Sequence, residues 1–319
     1  MFLQHITEYF YTSNVSERAN QIKLYPFNDK FQQIINHQIK ISNNPSVEKH
    51  IDMFGNAVGT FTLYEPHNYL KVESKISFQL LAIEIPIIQA SPEEMWQILE
   101  DLKKSIDYYL FYQTTNFSGV EQIKNILPSN YKKNDPFEVA LKLCDYVYKN
   151  FEYQKGITTV DSSLDEVWKL KSGVCQDFTN ILVQLCRFYG IPTRYVSGYI
   201  CPSDTSRFRG EGATHAWVEV YIPNHRWVGI DPTNNCIVNG NHVRLCVGRD
   251  FRDCSPVKGV YRGNSDDTLV VTVKINDHNN FDENKIEEFP NKKVGSLKTN
   301  SYVENQELIL LQQQQQQQQ

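Results

Sequence analysis

At 319 residues the chain exceeds a typical single domain, and its length predicts about two domains, each able to bury its own core. Its composition is that of an ordinary globular protein, with 22% charged residues and a formal net charge of −5. Because the basic residues form no long run or stripe, the sequence does not indicate a surface for nucleic acid or for a membrane, and we expect neither partner.

The N-terminus and the cysteines bear on the cellular compartment. The chain has no run of about eighteen apolar residues, and its first residues lack the features of a secretory signal, so we expect a cytoplasmic protein. The seven cysteines follow no short regular spacing, which favours reduced thiols over a disulfide framework. There is no CxxC or HxxxH pair, so Cys201, Cys236, Cys246 and Cys254 do not predict a zinc site, and we expect neither metal nor cofactor.

Residues 1–85 alternate apolar and polar side chains in twos, which is the period of half-buried strands. Strands are predicted around residues 5–11, 35–41, 60–64 and 70–80, with turn residues between them. This region therefore predicts an all-β domain, with the form of a β-sandwich, that serves as a scaffold.

Three helix starts in residues 86–275 carry a capping pattern, namely Ser91-Pro92-Glu93-Glu94, Asp135-Pro136-Phe137-Glu138 and Ser163-Leu164-Asp165-Glu166. A fourth helix is predicted to begin at about Cys175, and Gly190-Ile191-Pro192 ends it. Strands are predicted after it, at residues 193–200, 214–222, 227–230, 243–247 and 269–275. Helices followed by strands in blocks predict an α+β fold.

Residues 276–319 are polar and acidic and end in eight glutamines. They contain too little apolar material to offset the entropy of ordering them, so we expect a disordered tail with polyglutamine. The predicted organisation is therefore an all-β domain (1–85), an α+β domain (86–275) and this tail (276–319).

The stretch SGVCQDFTN at residues 172–180 places Cys175 between a glycine-bearing turn and an amphipathic helix. Cysteine is among the most buried residue types, so a core position is its ordinary interpretation. At a helix N-terminus, however, backbone N–H groups and the positive end of the helix dipole stabilise a thiolate. Cys144 and Cys186 fall instead on apolar helical stripes, which predicts core positions for both.

A thiolate nucleophile needs a base, and His215 stands at the head of an alternating strand. The next strand returns from the turn at residues 223–226 and delivers Asp231 to the same open end of the hairpin, where an orienting carboxylate is required. Simple counting about the turn puts Asp231 opposite Val218, about 10 Å along the strand from His215, so this pair requires a bulge or a longer turn. Taken alone, Asp231-Pro232 is also an ordinary turn sequence.

Four stretches occur in order along the chain: SGVCQDF (172–178), IPTRYVSGY (191–199), THAWVEV (214–220) and DPTN (231–234). They resemble the core motifs of the transglutaminase-like cysteine peptidase superfamily. Residues 247–251 and 256–263 resemble the C-terminal part of the bacterial-type members that carry an N-terminal β domain. The resemblance extends over nearly all of the chain up to residue 275.

Carried over residue by residue, the resemblance implies a nucleophile at Cys175, a base at His215 and an orienting acid at Asp231. It also implies a papain-like, transglutaminase-core domain whose cysteine-bearing helix packs on an antiparallel sheet, after the N-terminal β-sandwich. The second donor of the oxyanion hole is not assigned; Tyr153 and Trp168 are candidates that also fit core positions.

The activity implied is that of a peptidase, isopeptidase or amidase acting on a protein or peptide amide through an acyl-enzyme. Two alternatives stay open: a transglutaminase that passes the acyl group to an amine, and an inactive family member that serves as a binding module. The polar loop at residues 203–212 admits water and favours hydrolysis, and the complete set of triad residues argues against an inactive member. The sequence does not indicate the substrate or the oligomeric state.

Overall fold

The computed structural model describes residues 1–82, 88–159, 161–202, 208–210 and 214–276. The predicted tail at residues 276–319 therefore lies outside the described residues, apart from Asn276, and so does most of the loop at residues 202–213. Among the described residues, no helix is long and apolar enough to cross a membrane.

The strands lie at both ends of the chain and in its second half. They are β1 (Phe2–Ile22), β2 (Gln32–Ile41), β3 (Glu48–Ile51), β4 (Ala57–Leu63), β5 (His67–Leu80), β6 (Glu152–Tyr153), β7 (Ser172–Gly173), β8 (Thr193–Ile200), β9 (Thr214–Ile222), β10 (Arg226–Asp231), β11 (Cys236–Ile237), β12 (His242–Gly248), β13 (Val257–Arg262) and β14 (Asp267–Asn276).

The helices lie between β5 and β8, with one short turn after β12. They are α1 (Pro92–Leu102), α2 (Ile106–Tyr109), α3 (Val120–Ile123), α4 (Pro136–Asn150), α5 (Leu164–Leu170), α6 (Cys175–Phe188) and α7 (Phe251–Cys254), with a 3₁₀ turn at Tyr131–Lys133. Caps form where the sequence predicts them, because the side chains of Ser91, Asp135 and Ser163 accept hydrogen bonds from first-turn N–H groups.

The N-terminal sheet is built around β1, which runs through both of its halves. The first half of β1 pairs with β5 and β14, and the second half pairs with β4 and β13, with a register shift between them. The sheet order is β2-β5-β1-β4-β3. The two halves enclose one apolar core, which includes Leu3, Ile22 and Phe78. One long strand thus joins the two layers of the β region.

The last two strands of the described chain also belong to this sheet. All ten residues of β14 lie in register with β1, from Phe2 opposite Asn276 to Tyr11 opposite Asp267. Sequence order alone places these strands with the second predicted domain (86–275), whereas their pairing places them with the N-terminal strands. Strand pairing is set by long-range contacts, which local patterns do not encode.

The central sheet has the order β11-β10-β9-β8-β12 and is antiparallel throughout. Helix α6 packs on it through Phe178, Leu182 and Leu185, which share a core with α1, α4 and α5. Cys144 and Cys186 are buried in this core, as predicted. The predicted α+β fold, with a β region before a cysteine-bearing helix on an antiparallel sheet, is confirmed.

The central sheet packs against the N-terminal sheet. Asn56 donates to the Val247 carbonyl at 2.7 Å and accepts from the Val247 N–H at 2.8 Å. The Tyr199 hydroxyl lies 2.8 Å from Nδ1 of His5. Tyr199 and Val243 of the central sheet are part of the N-terminal core. These contacts fix the two sheets relative to each other.

Adjacent residues of β14 test its contribution to stability. Val273 is 2% exposed, whereas Thr272 is half-buried and points to the opposite side of the strand. We expect Val273→Asp to lower the free energy of unfolding by about 3 kcal/mol or more, because it buries an unpaired charge. Thr272→Asp should cost less than about 1 kcal/mol. Urea denaturation measures both, and equal losses would contradict this role of β14.

The buried His5 predicts a pH dependence of stability. Burial lowers the pKa of His5 from 6.5 to about 4. Since the unfolded chain binds the proton first as the pH falls, stability from this residue is present above pH 6.5 and lost towards pH 4, by about 3 kcal/mol in total. Thermal or urea unfolding between pH 7 and pH 4 should therefore show a shallower decline in His5→Gln than in the wild type. An identical slope would contradict the assignment.

Candidate active site

Cys175 is the first residue of α6, where helical N–H groups lack intrahelical partners. The Asp177 carboxylate closes this first turn, because it accepts hydrogen bonds from the Val174 N–H at 2.8 Å and from Thr158 Oγ1 at 2.7 Å. A Cβ at Gly173 would collide with this carboxylate, so the glycine before the helix is required by close approach. Burial raises the pKa of Asp177 to about 6, although both hydrogen bonds oppose the rise.

His215 and Asp231 meet at the open end of the β9–β10 hairpin. Nε2 of His215 lies 2.8 Å from Oδ2 of Asp231, and both side chains are fully buried. Because a carboxylate only accepts, the imidazole donates from Nε2, which leaves Nδ1 as its other ring nitrogen. The side chain of Cys175 interacts electrostatically with His215 and lines the same cavity, so the structure brings all three predicted residues together.

The hairpin turn explains how His215 and Asp231 meet. Ile222 pairs with Arg226, so three residues form the turn, and the register continues without a bulge to Ile230 opposite Val218. Continuing this register places Asp231 opposite Trp217 and makes His215 its diagonal neighbour on the same face, within side-chain reach. The expectation of a bulge or a longer turn is therefore wrong: the turn has one residue fewer than the four at 223–226 that the counting assumed, and this shift by one residue brings Asp231 to the face of His215.

The Asp231 carboxylate accepts further hydrogen bonds. Oδ1 accepts from the N–H groups of Thr233 at 2.8 Å and Asn234 at 3.3 Å. Oδ2 accepts from Asn234 Nδ2 at 2.7 Å and from His242 Nε2 at 3.2 Å. Sequence reasoning missed His242, because it lies on β12, at the far side of β8 from β9, and no local spacing connects it with the other site residues.

Burial and charge act in opposite directions on this pair. Burial alone would lower the pKa of His215, but the charge and hydrogen bond of Asp231, together with Cys175, raise it to about 10. Burial alone would raise the pKa of Asp231, but His215 and His242 hold it well below its usual range. The site therefore favours a charged imidazolium beside an ionised carboxylate at neutral pH.

His215, Asp231 and His242 also form a group that could hold a metal ion by spacing, since their ligand atoms lie within 4.8 Å of one another. The carboxylate, however, already accepts hydrogen bonds from five N–H groups of four residues. This hydrogen-bond network accounts for the cluster without an ion.

The described part of the loop before His215 lies against the site. The backbone of Arg209 exchanges hydrogen bonds with the side chain of Asn234, at 2.8 Å and 3.3 Å. A Cβ at Gly210, which has φ +84°, would lie 2.8 Å from Nδ1 of His215. The chain thus approaches the imidazole closely at a position that favours glycine.

A cavity of about 330 Å³ opens beside Cys175 and His215. Tyr195 lines it, and burial, followed by the charge of Cys175, raises the pKa of this tyrosine well above its usual range. Trp168 is not among the described lining residues, and its Nε1 donates to Gln122 at 2.7 Å. Tyr153 does not line the cavity within the described chain either. Neither candidate for the second oxyanion donor thus faces the cavity.

Two protein-family models match this chain. The model of the transglutaminase-like superfamily matches residues 126–232, which contain Cys175, His215 and Asp231. A second model, of the bacterial transglutaminase-like N-terminal region, matches residues 1–79. The chain belongs to the transglutaminase-like superfamily. The predicted resemblance is confirmed for both the core and the N-terminal region.

Individual proteins are also similar to this chain. An uncharacterised protein of Mycobacterium tuberculosis is 28% identical over 279 residues, covering 83% of this chain and 88% of the relative. A protein-glutamine gamma-glutamyltransferase of Pseudomonas aeruginosa is 30% identical over 101 residues, which cover 30% of this chain and 15% of that protein. The fold is similar to that of a proposed cysteine protease from Cytophaga hutchinsonii, with a TM-score of 0.59 and 19% identity, over 85% of this chain and 90% of that one.

The charge of Asp231 predicts how the imidazole titrates. In Asp231→Asn, the largest of the effects that oppose burial is removed, so the pKa of His215 should fall from about 10 far enough to deprotonate the imidazole. The imidazolium is then lost near neutral pH, and alkylation of Cys175 by iodoacetamide at pH 7 should slow by roughly tenfold or more.

His242→Gln provides the matched control, because glutamine keeps an N–H donor for Asp231. Its alkylation rate should stay within roughly threefold of the wild type. Peptide mapping by mass spectrometry measures both rates, and circular dichroism checks the fold. A folded Asp231→Asn protein that is labelled as fast as the wild type would contradict this account of His215.

Proposed function

We propose that the chain is a cysteine-nucleophile hydrolase of amide bonds, of the peptidase, isopeptidase or amidase type. Cys175 is the nucleophile, His215 the general base and acid, and Asp231 the group that orients and charges the imidazole. The observation that carries the proposal is the buried 2.8 Å contact between His215 and Asp231 beside a cysteine at a helix N-terminus.

In the proposed reaction, the Cys175 thiolate attacks the carbonyl carbon of an amide and forms a C–S bond. The C–N bond then breaks, the amine leaves with the proton of the His215 imidazolium, and a thioester remains on Cys175. Water attacks this thioester and gives one proton to His215. The carboxylic acid leaves as the C–S bond breaks, and the resting ion pair is restored.

Two parts of the structure support the charges of these steps. The first turn of α6 directs backbone N–H groups and the positive helix end towards Cys175, which favours the thiolate and the oxyanion that follows it. The raised pKa of His215 keeps a proton available for the leaving amine at neutral pH. Full burial of Asp231 and His215 strengthens their attraction, since water does not screen them.

A transglutaminase is the second candidate, and the Pseudomonas aeruginosa enzyme, a protein-glutamine gamma-glutamyltransferase, favours it. That similarity covers 30% of this chain. Hydrolysis is favoured by the polar loop before His215, whose described residues Arg209 and Gly210 lie at the site. A polar approach admits water to the thioester. An inactive binding module, the third alternative, would not require the buried ion pair that the site maintains.

Product analysis separates water from amine as the acceptor. The protein is incubated with glutamine-containing peptides, with and without a primary amine at millimolar concentration, and mass spectrometry measures free acid and substituted amide. We expect the free acid to predominate in both, and its formation to be abolished in Cys175→Ala and retained in Cys186→Ala, a matched change of a buried core cysteine in the same helix.

The possible outcomes distinguish the three candidates. If the main product is the substituted amide and its formation depends on Cys175, the proposed reaction becomes amine transfer and the roles of the three triad residues stay as proposed. Equal product in Cys175→Ala and the wild type would remove Cys175 as the nucleophile. A protein that gives no product with any peptide, and whose Cys175 reacts no faster with iodoacetamide than Cys186, would be a binding module.

A further inference from the structure

The cavity beside the thiol is closed by the N-terminal sheet. On one side it is lined by Cys175 and His215, and on the opposite side by His5 and Thr7 of β1 and by Leu269 and Val271 of β14. The β region therefore does more than stabilise the fold. We call the surface formed by these β1 and β14 residues the β wall.

Strand register explains which side chains form the β wall. Thr7 lies opposite Val271 and Tyr9 opposite Leu269 in the antiparallel pair, and side chains opposite each other share one face. Alternate residues of both strands therefore face the cavity, namely His5, Thr7 and Tyr9 on β1 and Asp267, Leu269 and Val271 on β14. The intervening residues, such as Thr268, point to the opposite face.

The polar side chains at the centre of the β wall, His5 and Thr7, are uncharged. His5 is 1% exposed, its Nδ1 lies 2.8 Å from the Tyr199 hydroxyl, and its Nε2 lies 2.9 Å from Thr7 Oγ1. Burial lowers the pKa of His5 to about 4, so the imidazole is neutral at physiological pH. Thr7 and His5 thus present hydrogen-bonding groups between the apolar side chains of Leu269 and Val271.

The charges around the cavity disfavour an anion, because the His215 imidazolium that lines it is already paired with the buried Asp231 carboxylate. Among the described lining residues there is no lysine or arginine, and Asp267 at the exposed rim is the one carboxylate. Arg18 lies 4.4 Å from the centroid of the Tyr9 ring and is not among the described residues that line the cavity. A carboxylate in this cavity would lose its hydration without gaining a cationic partner at the β wall.

We propose that the β wall is the subsite for the substrate group next to the scissile amide, and that it accepts an uncharged group with an apolar stem and a hydrogen-bonding end while excluding carboxylates. This inference rests on the proposed role of Cys175 as the nucleophile. The N-terminal sheet is then a specificity element of the site. A substrate of this class fills a volume of about 330 Å³ between the thiol and Thr7.

Two reagents of equal size and different charge test the subsite. Iodoacetamide is neutral and iodoacetate is anionic, and both alkylate a thiolate. The ratio of their rates at Cys175 is measured by peptide mapping and divided by the same ratio for a free cysteine peptide. We expect the wild type to prefer iodoacetamide by roughly fivefold or more after this correction.

Variants of β14 test whether the β wall causes this preference for iodoacetamide. Leu269→Lys places a cation in the cavity and should raise the relative rate of iodoacetate by roughly fivefold, whereas Thr268→Lys, on the opposite face, should change it less than twofold. Asp267→Asn should shift the ratio in the same direction, with Asp266→Asn as its exposed neighbouring control. The Asp267 pair tests the same charge effect at exposed positions, where folding is not at risk.

The outcomes separate the subsite from the proposed function. Labelling requires a reactive thiol and no turnover, so a label that maps to cysteines other than Cys175 overturns both proposals. Rapid labelling of Cys175 without preference between the reagents, or equal effects of Leu269→Lys and Thr268→Lys, overturns the subsite and leaves the nucleophile in place.

Discussion

The Asp231 carboxylate is fully buried and ionised, and the arrangement of the site follows from the groups that compensate its charge. An unpaired buried carboxylate would cost several kcal/mol, so each donor around it is needed for stability as well as for chemistry. The donors come from the strand that carries His215, from the strand that carries His242, and from the turn at Thr233 and Asn234. Positioning Asp231 therefore positions three segments of the chain at once.

The same network extends to the helix and to the loop before His215. Asn234 holds Asp231 with its side chain and its N–H group, and it also holds the backbone of Arg209. Cys175 lies on a different element, at the first turn of α6, and interacts with the same imidazole. Asp177 closes that turn and fixes the backbone before Cys175. The proposed nucleophile and base thus belong to separately stabilised elements that meet at one edge of the central sheet.

The N-terminal sheet forms part of the cavity beside Cys175, although its strands lie outside residues 126–232, which match the superfamily model. Strand β1 pairs along its length with strands from near the start and from the end of the described chain. Because β14 follows the central sheet in sequence and pairs with β1 in space, it ties the β region to the core that carries the site. The cavity between them is shared, with Cys175 and His215 on the side of the core and the β wall on the side of the N-terminal sheet.

The sequence by itself determined the family, the fold class, and the residue types and order of the site. The caps at Ser91, Asp135 and Ser163 are local patterns, and local patterns depend on neighbouring residues alone. The placement of Cys175 at a helix N-terminus followed from the same kind of signal.

Tertiary structure decided what depends on contacts between distant segments. A turn of three residues at 223–225 sets the register that makes His215 and Asp231 neighbours, and one residue more or fewer would send them to opposite faces. His242 joins Asp231 only because β12 lies beside β8 in the sheet, and β14 reaches the cavity only because it pairs with β1. Such pairings result from the free energy of packing and hydrogen bonding over the whole chain, which no single stretch of sequence contains.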